Sequence, residues 1–388
     1  MTSNQVLSEV EFNVVGKRPV RPDGVDKVTG RAQYGGDTNL TGTLQAKVLR
    51  SPHPHARIKS IDTSKAESFP GVRAVITAKD LPLASLSKEE LGGDYTALKF
   101  ASDHMMASDK VLFKGHPVAA VAAINAHVAQ SAMDLIDVDY EVLDSVVDVR
   151  EAMKPGATLI HDELRTNDMG ETADQPSNIA AHMRYEIGDV TKGFADADLV
   201  MEKEFTTATV HQGYIEPHNT TAFWNSDGQL NLWTSTQGSF QVRATVSNIL
   251  RLPISKVKVT PMEIGGGFGG KITAYLDAIC SILSKKTGTP VKALMSRTEV
   301  FEASGPAPAS WMRVKIGVKN NGTMTAVETE MAMDAGAYPG SPVMQAIVCA
   351  FACYDVENGR IDGYDVVVNK PKTAAYRAPG APIVAFGV

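Results

Sequence analysis

Residues 252–286 constrain this chain more than any other stretch. An apolar-alternating run ends in Lys256-Val257-Lys258-Val259-Thr260, Gly265-Gly266-Gly267-Phe268-Gly269-Gly270-Lys271 follows, and helical spacing resumes at Ile272. A strand that opens into five glycines and flows into a helix is expected to offer unhindered backbone N–H groups at a positive helix end. Such a loop suits an anionic group. Its spacing also fits the phosphate-binding pattern G-x-x-x-x-G-K, but Ile272 stands where Ser or Thr must hold magnesium. Packing glycines at a tight junction are the third reading, and five of them around a phenylalanine and a lysine exceed that need.

The remaining chain narrows the choice. With 388 residues, two or three domains are expected. A formal charge of -6 and a pI near 5.9 provide no basic field, which argues against a nucleic-acid partner. No window of about eighteen apolar residues suggests a membrane span, and residues 1–13 show no apolar signal core, so a cytoplasmic location is expected. Three cysteines, Cys280, Cys349 and Cys353, are too few for an iron–sulfur cluster and read as buried thiols.

In chain order, residues 17–37 read as a turn-rich lead-in, 43–50 and 72–77 as strands, and His53 and His55 as a surface turn. A polar insertion covers 85–94. Strand 118–123, helix 126–136, strand 137–142 and a helix start at Asp148 complete a first α/β or α+β domain, with His116 structural. Polar residues 154–178 read as an interdomain linker, so the domains are set at 1–165 and 166–388.

The second domain begins with strands 181–187 and 199–207 around the turn at Gly188. Residues 209–218 gather His211, Gln212, Glu216 and His218 in one loop, a polar pocket wall rather than a zinc site. Beyond it come hairpin 220–224/230–235, helix 239–250, helix 272–286, strand 291–295, hairpin 313–318/324–333 over Asn320-Asn321-Gly322, helix 344–352 and strand 366–369. The chain then reaches Ala375-Tyr376-Arg377-Ala378-Pro379-Gly380 and stops in the apolar run 383–388, which suggests a fragment, a split gene or completion by a partner.

The glycine loop, Trp233-Thr234-Ser235-Thr236-Gln237 before it and the 375–380 segment after it together resemble the molybdenum-binding large subunit of the xanthine oxidase family. Asp26-Lys27-Val28-Thr29-Gly30, Ser51-Pro52, Gly115-His116-Pro117-Val118-Ala119 and Val138-Asp139-Tyr140-Glu141 resemble that family's N-terminal hammerhead domain. The resemblance implies an α+β chain: an α/β hammerhead domain, then the first part of the mixed α+β cofactor-binding domain, incomplete at its C-terminus. It also implies a molybdenum–molybdopterin cofactor in cytosine dinucleotide form, and hydroxylation of an aldehyde, aromatic or N-heterocyclic carbon with water-derived oxygen. No protein side chain ligates the metal directly.

By position, Gln212 matches the glutamine whose amide approaches the metal's oxo ligand. Gly267, Phe268, Gly269 and Gly270 match the loop whose N–H groups face the metal ligands, and Arg377 and Ala378 the second cofactor-facing loop. Ile272, Gln345 and Pro379 fall in the substrate pocket. Ile272 replaces the glutamate of purine-oxidising members, no arginine lies near Gln345, and Ala378 replaces the cysteine of carbon monoxide-oxidising relatives. The family's catalytic glutamate falls beyond Val388, so the polypeptide alone is expected to be inactive. Partner subunits carrying [2Fe–2S] clusters and FAD, a C-terminal half and a small-molecule substrate are implied. A truncated paralogue acting as an assembly scaffold is the alternative.

Overall fold

The computed structural model describes residues 12–85 and 95–388. The N-terminal residues 1–11 and nearly all of the insertion at 85–94 therefore lie outside the described residues.

Three strands of the first segment, β1 (Leu44–Arg50), β3 (Val72–Thr77) and β5 (Pro117–Ala123), do not close a sheet of their own. They join β11 (Asn219–Trp224), β12 (Leu230–Thr234), β13 (Val257–Pro261) and β14 (Val291–Leu294) in one seven-stranded sheet of order β13-β12-β11-β14-β1-β5-β3. The seam is parallel, with Leu44 opposite Val291. Strand β5, Pro-Val-Ala-Ala-Val-Ala-Ala, is buried throughout. Its alternate alanines let helices approach both faces: Ala120 and Ala122 share a core with Ile279 and Leu283, while Ala119 and Val121 pack with Ala132.

A second seven-stranded sheet comprises β7 (Arg165–Asp168), β8 (Glu171–Pro176), β9 (Ile179–Ile187), β10 (Leu199–Thr207), β15 (Ser310–Val318), β16 (Met324–Gly336) and β17 (Gly359–Val367). Its order is β10-β15-β16-β17-β9-β7-β8. A small sheet pairs β2 (Ala56–Asp62) with β4 (Lys110–Val111) and β6 (Asp137–Val142).

Several sequence expectations change. The stretch read as a linker holds β7 and β8, whose polar residues suit a half-exposed edge hairpin rather than a tether. Strands β9 and β10 are not partners across Gly188; the helix Val190–Ala195 separates them, and β9 pairs with β17 while β10 pairs with β15. The lead-in contains a short helix, Gly24–Thr29. The His-Pro segment does bend, with Pro52 exposed and His53 and Pro54 half-buried, but His55 is buried, its Nδ1 2.7 Å from Asp144 O. Cys280 is buried as expected, but Cys349, the last residue of the helix Val343–Cys349, and Cys353, in the turn after it, are exposed.

Candidate functional site

Four segments, two arriving from strands of each large sheet, converge. The β10–β11 connection carries Gln212 and Glu216, the segment after β12 carries Gln237, β13 leads into the glycine loop, and β17 leads into 375–380. The helix expected at Ile272 starts only at Asp277, so the glycine loop is not a helix N-terminus and gains nothing from a helix dipole. It is held from beneath instead.

Lys271 is that support. Its side chain is 0% exposed, and Nζ donates to Glu216 Oε2 at 2.8 Å while lying 4.8 Å from the Tyr214 ring centre. A lysine so placed cannot reach a bound phosphate, which removes the nucleotide-binding reading. Burial pulls its amine below the ordinary lysine range, with the Glu216 carboxylate opposing that shift. The same Oε2 accepts from Gly265 N at 2.7 Å and Ser235 Oγ at 3.0 Å, and Asn219 Nδ2 donates to Oε1 at 3.1 Å. At the loop's far end Gln237 Oε1 accepts from Gly269 N at 2.8 Å. Glu216 and Gln237 thus clamp the two ends of the loop. Glu216 was read as a pocket-wall residue and Gln237 only as part of a motif; neither clamp follows from sequence spacing.

Gln212 is buried and joins the two loops. Its Nε2 donates to Ala375 O at 2.9 Å and Gly305 O at 3.0 Å, leaving Oε1 buried without a hydrogen-bond partner. Of its side-chain polar atoms, Oε1 is the one left without a partner. Arg377 N donates to Phe268 O at 2.9 Å, the second tie between the loops. Phe268, Arg377 and Ala378 all adopt positive φ, of 52°, 24° and 63°, a conformation that costs a non-glycine residue roughly 1–3 kcal/mol. Strain held by hydrogen bonds from both sides marks a built junction.

Glycine is required at two points. A Cβ on Gly267 would sit 2.4 Å from Gln237 Oε1, and one on Gly269 would sit 2.6 Å from Ala375 O with φ at 103°. Among the described residues the N–H groups of Gly266, Gly267 and Phe268 have no acceptor, whereas Gly269 N, expected to face a ligand, is spent on Gln237.

Pro379 and Gln345 come to one place, since Gly380 lies against Pro342 O and Ala346 N at the start of the Val343–Cys349 helix. Ile272 is 40% exposed beside Gly238, and no hydrogen bond ties it to the other two. The histidines of this region are engaged with neighbours. His211 Nε2 lies 2.9 Å from Ser304 Oγ, and His218 Nε2 lies 2.6 Å from Tyr214 OH, whose pKa burial pushes up to about 12. Among the described residues no group of three His, Cys, Asp or Glu could hold a metal ion. A cleft of about 870 Å³, lined by Lys110, His161 and Asp162 among others, lies elsewhere and contains no residue of these loops.

The molybdopterin cofactor-binding domain profile matches residues 172–388, and the aldehyde oxidase and xanthine dehydrogenase a/b hammerhead profile matches 29–144. The chain is 32% identical over 375 residues to the nicotinate dehydrogenase large molybdopterin subunit of Eubacterium barkeri, covering 96% of this chain and 83% of that one. The chain belongs to the molybdenum-binding subunits of the xanthine oxidase family. It is 35% identical over 331 residues to the carbon monoxide dehydrogenase large chain of Afipia carboxidovorans, covering 84% of this chain and 40% of that one. The crystal structure of quinoline 2-oxidoreductase from Pseudomonas putida 86 superposes with a TM-score of 0.81 at 27% identity, over 94% of this chain and 46% of that one. The chain thus spans under half the length of those last two proteins and most of the Eubacterium subunit.

In this member of the xanthine oxidase family the fold is the expected α+β succession, hammerhead first and cofactor-binding domain second. The loop junction suits an anionic cofactor: it carries three unpaired N–H groups, and the Glu216 carboxylate beneath it is neutralised by Lys271. No helix among the described residues is long and apolar enough to cross a membrane.

Proposed function

We propose that this chain forms one wall of the molybdenum-cofactor site in an oxidoreductase that hydroxylates an aldehyde, aromatic or N-heterocyclic carbon with water-derived oxygen. The observation that carries the reading is the junction of Gln212, the glycine loop and the 375–380 loop, where Gly266, Gly267 and Phe268 keep unpaired N–H groups. The cofactor, when bound, supplies the two-electron oxidation and activates the oxygen. The chain's part is to hold and orient it. The free N–H groups would donate to its anionic atoms, Gly267, Gly269 and Gly270 let the loop pack closely on Gln237, Ala375 and Gln212, and Arg377, exposed and tied through its own N–H to Phe268, would present a cation beside it. Ala378 lies next to Arg377 on that rim.

Ile272, Gln345 and Pro379 border the substrate. An isoleucine in place of glutamate and the lack of an arginine near Gln345 disfavour purines, and Ala378 brings no thiol for carbon monoxide oxidation. Relatives named for nicotinate and quinoline support an N-heterocycle. The cofactor's cytosine dinucleotide form, [2Fe–2S] and FAD partner subunits, a cytoplasmic location and a catalytic glutamate carried by a second half complete the reading. The Eubacterium protein, of which this chain covers 83%, is itself little longer than this chain, which supports a molybdenum site divided between polypeptides.

The test is molybdenum content and dye-linked oxidation of nicotinate, quinoline and an aromatic aldehyde, for the chain alone and for the chain co-expressed with the second half. The expected result is metal and turnover only in the complex. Stoichiometric molybdenum with turnover in the chain alone would refute the division of the site; a complex that assembles yet never loads metal would favour the scaffold.

A further inference from the structure

A pocket of about 350 Å³ lies among segments that run into all three residues placed at the substrate. Thr273 follows Ile272 directly, Tyr338 leads toward the Val343–Cys349 helix that carries Gln345, and Lys372 precedes Pro379. The hammerhead segment adds Phe100 and His104 from the helix Tyr95–Met105. The rings of Phe100 and Tyr338, with centres 5.7 Å apart, give the pocket aromatic surface, and none of the described residues lining it is acidic. Its polar groups are largely unspent. Among the described residues the His104 ring nitrogens and the Thr273 hydroxyl make no hydrogen bond. Lys372 Nζ donates to Pro339 O at 2.6 Å and reaches Tyr338 O only at 3.5 Å, so an ammonium with three donors keeps at least one for a ligand. A Cβ on Gly340, where φ is 112°, would sit 3.1 Å from that Nζ, so glycine there leaves the ammonium its room.

Lys372 forms no ion pair among the described residues, and the Asp365 carboxylate accepts from Gly340 N and Ser341 N, each at 2.8 Å, instead. Burial pulls the Lys372 amine below the ordinary lysine range, with the Asp365 charge opposing that shift from a distance. Burial, then the charges of His116 and Lys372, lower His104 to about 3, so near neutrality its ring is uncharged. A half-buried ammonium among aromatic rings gains most from an anion that accepts its free N–H. The pocket contains neither the glycine loop nor Arg377, so the anion it suits arrives with the substrate rather than the cofactor. Resting on the reading that Ile272, Gln345 and Pro379 border the substrate, we propose that Lys372 sets specificity by pairing with a carboxylate carried on the substrate ring. The preferred substrate is then a heteroaromatic or aromatic acid rather than a neutral ring. The carboxylate accepts from Lys372 Nζ, the ring lies against Phe100 and Tyr338, and the carbon to be oxidised is left toward Ile272 and Pro379. A ring of one or two cycles fits a pocket of this volume.

Matched acid and neutral substrates read the contact. The holoenzyme, this chain with the second half and the partner subunits, is assayed on nicotinate against nicotinamide and on para-carboxybenzaldehyde against benzaldehyde. In the unaltered enzyme KM for each acid is expected to be about tenfold or more below that of its neutral partner, the effect of one charge-assisted hydrogen bond. Lys372→Met should abolish that preference through KM, with kcat little changed, and Lys372→Arg should keep most of it. Thr273→Glu sets a like charge in the pocket without touching the bonds of Lys372 and should turn the preference toward the neutral partner. Should Lys372→Met not fold, Thr273→Glu and the unaltered enzyme's own preference decide. Molybdenum content and urea midpoint are followed in parallel. Turnover of the neutral partners with no preference for the acids overturns the Lys372 assignment and leaves the proposed hydroxylation intact, as does a preference that survives both Lys372→Met and Thr273→Glu. Loss of molybdenum in folded Lys372→Met assigns the lysine to the cofactor and also overturns the proposal. A molybdenum-loaded holoenzyme that oxidises none of the four overturns the substrate reading itself, and this proposal with it.

Discussion

Replacing Glu216 by Gln isolates the electrostatic part of the support beneath the glycine loop. The substitution keeps the shape and an acceptor oxygen for Gly265 N but removes the charge 2.8 Å from Lys271 Nζ, whose side chain is 0% exposed. Breaking a buried pair from one side leaves an uncompensated charge, a cost of roughly 3–5 kcal/mol. Lys271→Met is milder, about 1–3 kcal/mol, because Glu216 retains the donors Gly265 N, Ser235 Oγ and Asn219 Nδ2. The double variant should be more stable than Glu216→Gln alone, since it strands no ion. Burial already depresses the Lys271 amine below 10.5, and loss of the carboxylate depresses it further. Between that lowered value and 10.5 the unfolded chain binds more protons than the folded one, so stability rises with pH across the window. The variant's deficit should accordingly be largest near neutrality and shrink toward pH 10.5. Equilibrium urea unfolding followed through Trp224, Trp233 and Trp311 measures it. A variant within about 1 kcal/mol of the parent at neutral pH, or a deficit that grows with pH, would refute the reasoning.

Three other outcomes are expected. Gly269→Ala drives a methyl into Ala375 O and separates the loops, so the assembled enzyme should lose at least tenfold in molybdenum content, whereas Gly36→Ala, with open space around it, should lose none; equal metal content in both would discount the junction. Gln212→Glu sets a carboxylate oxygen against the Ala375 and Gly305 carbonyls and should cost about 2–4 kcal/mol in urea unfolding, with a neutral effect disproving the bridge. Burial lowers His116 and His161 to about 4 and His104 to about 3, so below 6.5 the unfolded chain takes up protons that the folded one refuses. Stability should therefore fall as pH drops from 6.5 toward 4, by up to roughly 3 kcal/mol for each of these histidines; a flat urea midpoint over that range would mean they are not buried neutral.

Local pattern carried much of this molecule. Alternation marked β1 because Leu44, Ala46 and Val48 share one face on a core, and Asp148 announced its helix because its side chain caps the N-terminus. The ordered motifs carried the family. Other features were illegible for definable reasons. A parallel seam such as β1 with β14 joins residues about 250 apart and leaves no local signature. The 270–276 segment has helical spacing yet no helix, because Lys271 is drawn down to Glu216 and the backbone follows it.

The sequence by itself determined which residues could form an anion-accepting wall: five glycines, a glutamine, and an Arg-Ala-Pro-Gly turn, chemistry set by residue type. Only the tertiary structure decided which atoms remain available. Gln212 Nε2, Gly269 N and Lys271 Nζ are all consumed by partners distant in the chain, while Gly266, Gly267 and Phe268 keep their N–H groups. A donor satisfied across the fold is lost to a ligand, and that competition is settled by long-range geometry rather than by spacing.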